Sequence, residues 1–247
     1  MKMKPIKNEA VPLILLGGTL CDEQLWQPML NTLSVSHVQC LTLQDEECAQ
    51  AAAERLLAQL PARFCVCGFS LGAIVALQLQ AIAPQRIAGL ALISVNPFAD
   101  PPQNAQPRRA AVEHARALGF EAFITQQLWP RYVAGQRQND DDLRQNIIAM
   151  AQNCGHEVFA RQTEIAISRI DRRDALTKLT VPVLLVNGEE DPICTVEHHR
   201  AAHHAAPSAH WQTLPGVGHF VPLEAPELTA KALYSWLNEV LLCDLTH

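Results

Sequence analysis

Residues 64–83 constrain this chain more than any other stretch of it. Phe64-Cys65-Val66-Cys67 is a short apolar run that reads as a buried strand, and from Leu71 to Ala83 the sequence is almost wholly apolar until Pro84 closes it as a helix. Gly68-Phe69-Ser70-Leu71-Gly72 joins the two. A strand that becomes a helix over so few residues needs a sharp, strained turn. The serine hydroxyl then projects above the sheet, and glycine on either flank relieves the crowding of backbone on backbone. A helix opening directly after the serine also aims the positive end of its dipole at any negative charge that develops there.

The alternation of strand and helix extends on both sides. Leu13-Ile14-Leu15-Leu16 ends on Gly17-Gly18 as a buried strand giving way to a loop, residues 38–43 alternate as a strand, and residues 46–60 carry apolar side chains at helical spacing up to Pro61. Residues 87–95 make a further strand. Downstream, Pro182-Val183-Leu184-Leu185-Val186-Asn187-Gly188 restores the pattern, followed by a helix over 195–206, a last strand over 211–214 and an amphipathic helix over 227–242. Strands separated by helices pair in parallel, because each connection crosses the sheet and lays its helix on a face. The expectation is an α/β fold, a mostly parallel sheet of about six strands with helices on both faces.

The rhythm breaks at Asn96-Pro97-Phe98-Ala99-Asp100-Pro101-Pro102, where closely spaced prolines bar regular structure. From residue 108 to about 179 the chain reads as several polar, amphipathic helices without a strand, interrupted near Pro130, Gly135 and Gly155. This divides it into a core of residues 1–96 and 180–247 and an inserted helical cap of residues 97–179. No internal repeat is present to suggest a solenoid.

A serine hydroxyl is a poor nucleophile until a base takes its proton, so a histidine and an orienting carboxylate are expected further along. Asp191 stands in Asn187-Gly188-Glu189-Glu190-Asp191 directly after a strand, and His219 stands in Gly216-Val217-Gly218-His219-Phe220 directly after the last one. Loops at the carboxyl ends of parallel strands gather at one site, so Ser70, Asp191 and His219 are expected to meet there. Glu189 and Glu190 are alternatives for the carboxylate. The chemistry indicated is cleavage of a carboxylic ester, or a related lactone or thioester, of a small acyl substrate through an acyl-enzyme. The same triad could instead act as base machinery for C–C bond hydrolysis or elimination, and a pocket that holds its ligand without turning it over would make a receptor.

These features, including the order Ser, Asp, His, resemble the α/β-hydrolase superfamily over nearly the whole chain. Within it they are similar to the small cap-bearing carboxylesterases, the enol-lactonases and the menaquinone-pathway lyase that resembles them. In that family a His-Gly-x motif with a later Trp ends the strand corresponding to residues 13–16. Here Gly17-Gly18-Thr19 and Trp26 stand at those places, with glycine for the usual histidine. The resemblance implies an oxyanion hole formed by the backbone N–H groups of Thr19 and Leu71; because the donors are main-chain, the side-chain change need not abolish it. It also implies that the antiparallel strands opening larger members are missing or truncated. In the cap, Trp129, Tyr132 and Phe123 are candidates for the wall of an acyl pocket. Arg161, beside Gln162, is a candidate to hold a substrate carboxylate bidentately, and Arg169-Ile170-Asp171 is a further feature shared with the group.

Composition removes other classes. A formal net charge of -6 leaves no basic stripe for a nucleic-acid backbone, and no apolar run reaches the ~18 residues that span a bilayer. The segment before residue 17 lacks a signal-peptide core, and eight scattered cysteines in a chain of this length read as reduced thiols, so a cytoplasmic location is expected. Cys65 and Cys67 are taken to face opposite sides of their strand, with no clip between them. His199 and His203 share a helix face at metal-ligand spacing but have no acidic or cysteine partner, and a solvent-facing polar helix is the expectation there. No metal and no cofactor is called for, the partner is a small-molecule acyl substrate, and nothing specifies an oligomeric state.

Overall fold

The computed structural model describes residues 3–244. Six strands form a single parallel sheet: β1 (Leu13–Leu16), β2 (Val38–Leu41), β3 (Phe64–Phe69), β4 (Ile87–Ile93), β5 (Val183–Gly188) and β6 (His210–Leu214). Their order is β2-β1-β3-β4-β5-β6, and every pair is parallel. From β1 the chain steps outward to β2 and then crosses back to β3 on the other side of β1. Connections therefore leave β1 and β3 in opposite directions, and a crevice opens between their carboxyl ends.

Helices of ten residues or more among the described residues are α1 (Ala49–Gln59), α2 (Leu71–Ile82), α3 (Ala105–Leu118), α4 (Asp141–Ile167), α5 (Val196–Ala205) and α6 (Pro226–Asp244). They cover both faces of the sheet. Ile14, Leu16, Val66 and Leu90 pack with Ala53 of α1 and Val75 and Leu79 of α2. On the other face Leu13, Leu15, Ala91 and Ile93 pack with Leu233 and Trp236 of α6. Strands β1, β3, β4 and β5 are buried at every residue, which is why their sequences are continuous apolar runs, while the edge strands β2 and β6 are only partly buried. Cys65 and Cys67 share one face of β3, in the same packed layer. This corrects the expectation that they face opposite ways, since side chains two apart in a strand point to the same side.

Helix α2 is apolar all round because it is wedged between sheet and α1. Its buried Gln78 is paid for locally: the amide donates to Gln50 of α1, and the carbonyl accepts from Arg172 Nε at 2.8 Å. Helix α1 begins at Ala49 rather than residue 46, where Cys48 Sγ accepts the Ala51 N–H at 3.4 Å and caps it.

Between β4 and β5 no strand occurs among the described residues. Helix α3 starts at Ala105, ahead of the expected residue 108, and Pro107 sits in its first turn, where a missing N–H costs nothing. Helix α4 is two helices meeting at Gly155, whose φ of 79° and ψ of 168° break the run at an interruption visible in the sequence. A wide turn (Ile124–Leu128) and a single helical turn (Trp129–Tyr132) lie between α3 and α4. Among the described residues no helix is long and apolar enough to cross a membrane.

Candidate active site

Ser70 occupies the turn between β3 and α2 with φ 51° and ψ −108°. A positive φ in a non-glycine residue is strained by about 1–3 kcal/mol and persists only where its surroundings hold it. Here Ser70 N–H donates to Ile93 O at 2.9 Å, and Ser70 O accepts from Ala73 N at 3.0 Å. The flanking glycines are required by contact. A Cβ at Gly68 would stand 2.3 Å from Gly72 O, and one at Gly72 would stand 2.1 Å from Leu16 O. The first turn of α2 thus lies directly on the ends of β1 and β3.

His219 Nε2 lies 3.0 Å from Ser70 Oγ, and His219 Nδ1 lies 2.8 Å from Asp191 Oδ2. With a carboxylate at Nδ1, that nitrogen carries the proton and donates it, which leaves Nε2 free to accept the serine hydroxyl. Asp191 Oδ1 accepts from the N–H groups of Ile193 at 2.8 Å and Cys194 at 2.9 Å. Burial pushes the Asp191 pKa up, but attraction to His219, the hydrogen bond between them and the two amides outweigh it and hold the carboxyl below its ordinary value. The backbone around His219 is fixed as well: its N–H and that of Phe220 both donate to Tyr132 O, at 3.0 and 3.1 Å. Ser94 Oγ donates to His219 O at 2.9 Å. The imidazole packs against Phe69, ring centroids 5.2 Å apart.

Of the alternative carboxylates, Glu190 accepts Gly135 N–H at 2.8 Å away from the histidine, and Glu189 is exposed. Asp191 is the one brought to His219. Cys194 comes near enough that its sulfur and the ligand atoms of Asp191 and His219 lie within 4.8 Å of one another. Burial pushes this thiol well above its ordinary value, and a metal there would have to displace the proton that His219 shares with Asp191.

Thr19 and Leu71 both line the space beside Ser70. Leu71 opens α2, so its N–H has no intrahelical partner by position. The loop carrying Thr19 is clamped from α4. Leu20, at φ 57°, donates its N–H to Gln162 Oε1 at 2.8 Å, and Gln162 Nε2 donates to Leu43 O at 2.7 Å. Gln162 is fully buried. The sequence reading passed over it in favour of its neighbour, although a glutamine three residues after Phe159 and four before Ala166 stands on the inward stripe of the helix.

A cavity of about 630 Å³ opens above Ser70 and His219, walled by the loops after β1, β4 and β5 and by residues of the β4–β5 helical segment. Phe123 and Tyr132 line it, and burial raises the Tyr132 hydroxyl well above its ordinary pKa. Trp129 and Arg161 stand outside it. Trp129 is buried, its Nε1 donating to Gln138 O at 3.0 Å under the Arg144 guanidinium. Arg161 donates to Gln44 O at 3.1 Å; two residues past the cavity-lining Phe159, it is turned roughly 200° about the helix axis. The arginines that do line the cavity are Arg108, Arg131 and Arg169. His199 is buried rather than solvent-facing, with Nε2 accepting Val95 N–H and Nδ1 donating to Thr195 O, each at 3.1 Å, so neither nitrogen is left for a metal shared with His203.

The model of the alpha/beta hydrolase family matches residues 34–232, most of the chain. The chain belongs to that family. Its relatives include the biotin biosynthesis bifunctional protein BioHC of Teredinibacter turnerae, 28% identical over 75% of this chain, of which it spans only 36%. A pimeloyl-[acyl-carrier protein] methyl ester esterase of Aliivibrio salmonicida is 25% identical over 77% of this chain and 78% of its own length. Among solved structures, a thermophilic esterase from Thermogutta terrifontis superposes with a TM-score of 0.82 at 24% identity, covering 93% of this chain and 90% of the other. The enol-lactonase of Burkholderia xenovorans superposes with a TM-score of 0.79 at 22% identity over 93% and 92%. At these identities the two structures speak for the alpha/beta hydrolase fold.

Proposed function

We propose that this alpha/beta hydrolase is a serine esterase acting on a carboxylic ester, lactone or thioester of a small acyl substrate. The observation that carries the reading is the unbroken line from Ser70 Oγ through His219 to Asp191 beside a cavity that Ser70 and His219 both line. His219 takes the Ser70 proton as the oxygen attacks the carbonyl carbon. The N–H groups of Thr19 and Leu71 receive the oxyanion, and His219 then gives its proton to the departing alcohol. Water, deprotonated by the same histidine, releases the acid and restores the serine. Residues 97–179 serve as the cap that shapes the acyl pocket, with Phe123 and Tyr132 in its wall. Relatives named as methyl ester esterases fit this reading.

The test is turnover of p-nitrophenyl esters of increasing acyl length. Ser70→Ala is expected to lower kcat by a factor on the order of 10³ or more, and unchanged turnover in that variant would sink the proposal. Recovery of free acid and alcohol from a plain ester separates hydrolysis from the C–C cleavage or elimination that the same residues can drive.

A further inference from the structure

The cavity above Ser70 has two differently built walls. One, next to His219, is aromatic: Phe123 and Phe159 rings lie 5.9 Å apart, and Tyr132 packs on Phe220 at 4.7 Å. The other comes from the loop after β4, the start of α3, the end of α4 and the first turn of α5, and it is cationic.

Its centre is Asp100, whose side chain is 1% exposed. Asp100 accepts from Arg108 Nε and Nη2, each at 2.9 Å, and from Arg169 Nη2 at 2.8 Å. Asn104 Nδ2 adds a long contact of 3.4 Å. Two guanidinium groups therefore share one carboxylate, and one positive charge is left over in a cluster whose Asp100 and Arg169 are buried and whose Arg108 is partly exposed. Arg169 spends its other nitrogens on Phe98 O and Ala166 O. Arg108 does not: Nε and Nη2 face Asp100, and Nη1 has no partner among the described residues, on a side chain that lines the cavity. Beside it His198 accepts Thr195 N–H at Nδ1, at 3.0 Å, so in its neutral form its proton sits on Nε2 as a second donor. Burial lowers the pKa of Arg169 against the opposing pull of Asp100, with Arg108 adding to the effect, and burial and then Arg169 lower that of His198. No carboxylate side chain lines the cavity among the described residues.

We infer that this wall is an anion subsite and that the substrate is an ester bearing a carboxylate at the end remote from the scissile bond, a half-ester of a dicarboxylic acid. The inference rests on the esterase reading above and deepens it. The one surplus charge of the Asp100 cluster matches a monoanion, whereas a phosphate monoester carries nearly two; Arg131, the third arginine of the lining, is exposed and stands outside that cluster. The planar guanidinium, fixed on one edge by Asp100, presents its remaining N–H groups without losing side-chain freedom on binding. The aromatic side chains lining the same cavity give the methylene chain an apolar wall beside the serine.

The test compares monomethyl adipate with dimethyl adipate, which carry a carboxylate and a second methyl ester at the distal end, with the diester's rate taken per ester group. The expected result is a kcat/KM roughly tenfold to a hundredfold higher for the half-ester, the value of a charged hydrogen bond, carried mainly in KM and shrinking as ionic strength rises. Arg108→Gln is expected to bring the ratio to about one. The salt dependence is read on the unaltered protein, so the inference stays testable if that variant folds poorly. Where both esters turn over too slowly to rank, the same order is read from how well each protects Ser70 against a fluorophosphonate. Equal reactivity or protection, in a protein that takes the fluorophosphonate at Ser70, overturns the anion subsite and leaves the esterase reading standing. A Ser70 that does not react with the fluorophosphonate overturns both.

Discussion

Ser70 keeps a left-handed backbone conformation that a serine adopts only under constraint, and the constraint is hydrogen bonding at both its N–H and its carbonyl. His219 is held the same way, by Tyr132 and Ser94 on its backbone and by Asp191 on its ring. Asp191→Asn would keep the shape but offer Nδ1 a donor or a weaker acceptor, and kcat should fall by a factor on the order of 10³–10⁴ with KM little changed; a small loss would show that His219 is oriented without it. His199 gives a prediction about stability. Burial pushes its pKa down to about 4, against about 6.5 when unfolded. Neutral His199 therefore contributes fully above pH 6.5, and its contribution is lost as pH falls toward 4, about 3 kcal/mol in all. His199→Gln keeps an acceptor for Val95 N–H without titrating. Urea unfolding should show a flatter pH dependence between 6.5 and 4 in this variant, and an unchanged slope would contradict the assignment.

At the scale of elements, the site is built where α2 presses onto β1. Gly72→Ala would set a methyl 2.1 Å from Leu16 O, backbone against backbone, with nothing flexible to yield. The expected outcome is failure to accumulate folded protein, or a loss of several kcal/mol measured by denaturant; a stable, active variant would mean that this packing is wrong. Helix α4 reaches the same site through Gln162, which ties the Thr19–Leu20 loop to the residues following β2. Gln162→Ala frees that loop, and because an oxyanion donor acts in the transition state, kcat should drop about tenfold or more while KM holds. A variant that loses stability but keeps kcat would make Gln162 structural only. The elements themselves were largely legible. Strands β1, β3, β4 and β5 are buried on both faces and so are written as unbroken apolar runs. Trp129 and Arg161 were misplaced because the helical phase is reset by the wide turn before Trp129 and by Gly155 within α4.

For the whole molecule, the parallel sheet explains why residues 70, 191 and 219 could be paired from sequence: each follows a strand, and strand ends converge. Asp191 was already the expected carboxylate, and the turn shows what holds it in place of its two glutamate neighbours: the Ile193 and Cys194 amides both donate to its Oδ1. Gln162 and the Arg108–Asp100–Arg169 cluster were not legible as a site, because a polar residue on an inward stripe looks like a surface residue until its distant partner is known. Arg169 lies 69 positions beyond Asp100, a contact that no local spacing reveals. The central claim is that this convergence makes Ser70 an activated nucleophile, and the direct measurement is the intact mass of the purified protein after reaction with a fluorophosphonate, followed by peptide mapping. One adduct on Ser70, lost in Ser70→Ala and formed far more slowly in His219→Gln, is the expected result. A protein that stays unmodified, or takes the adduct elsewhere, would contradict the account.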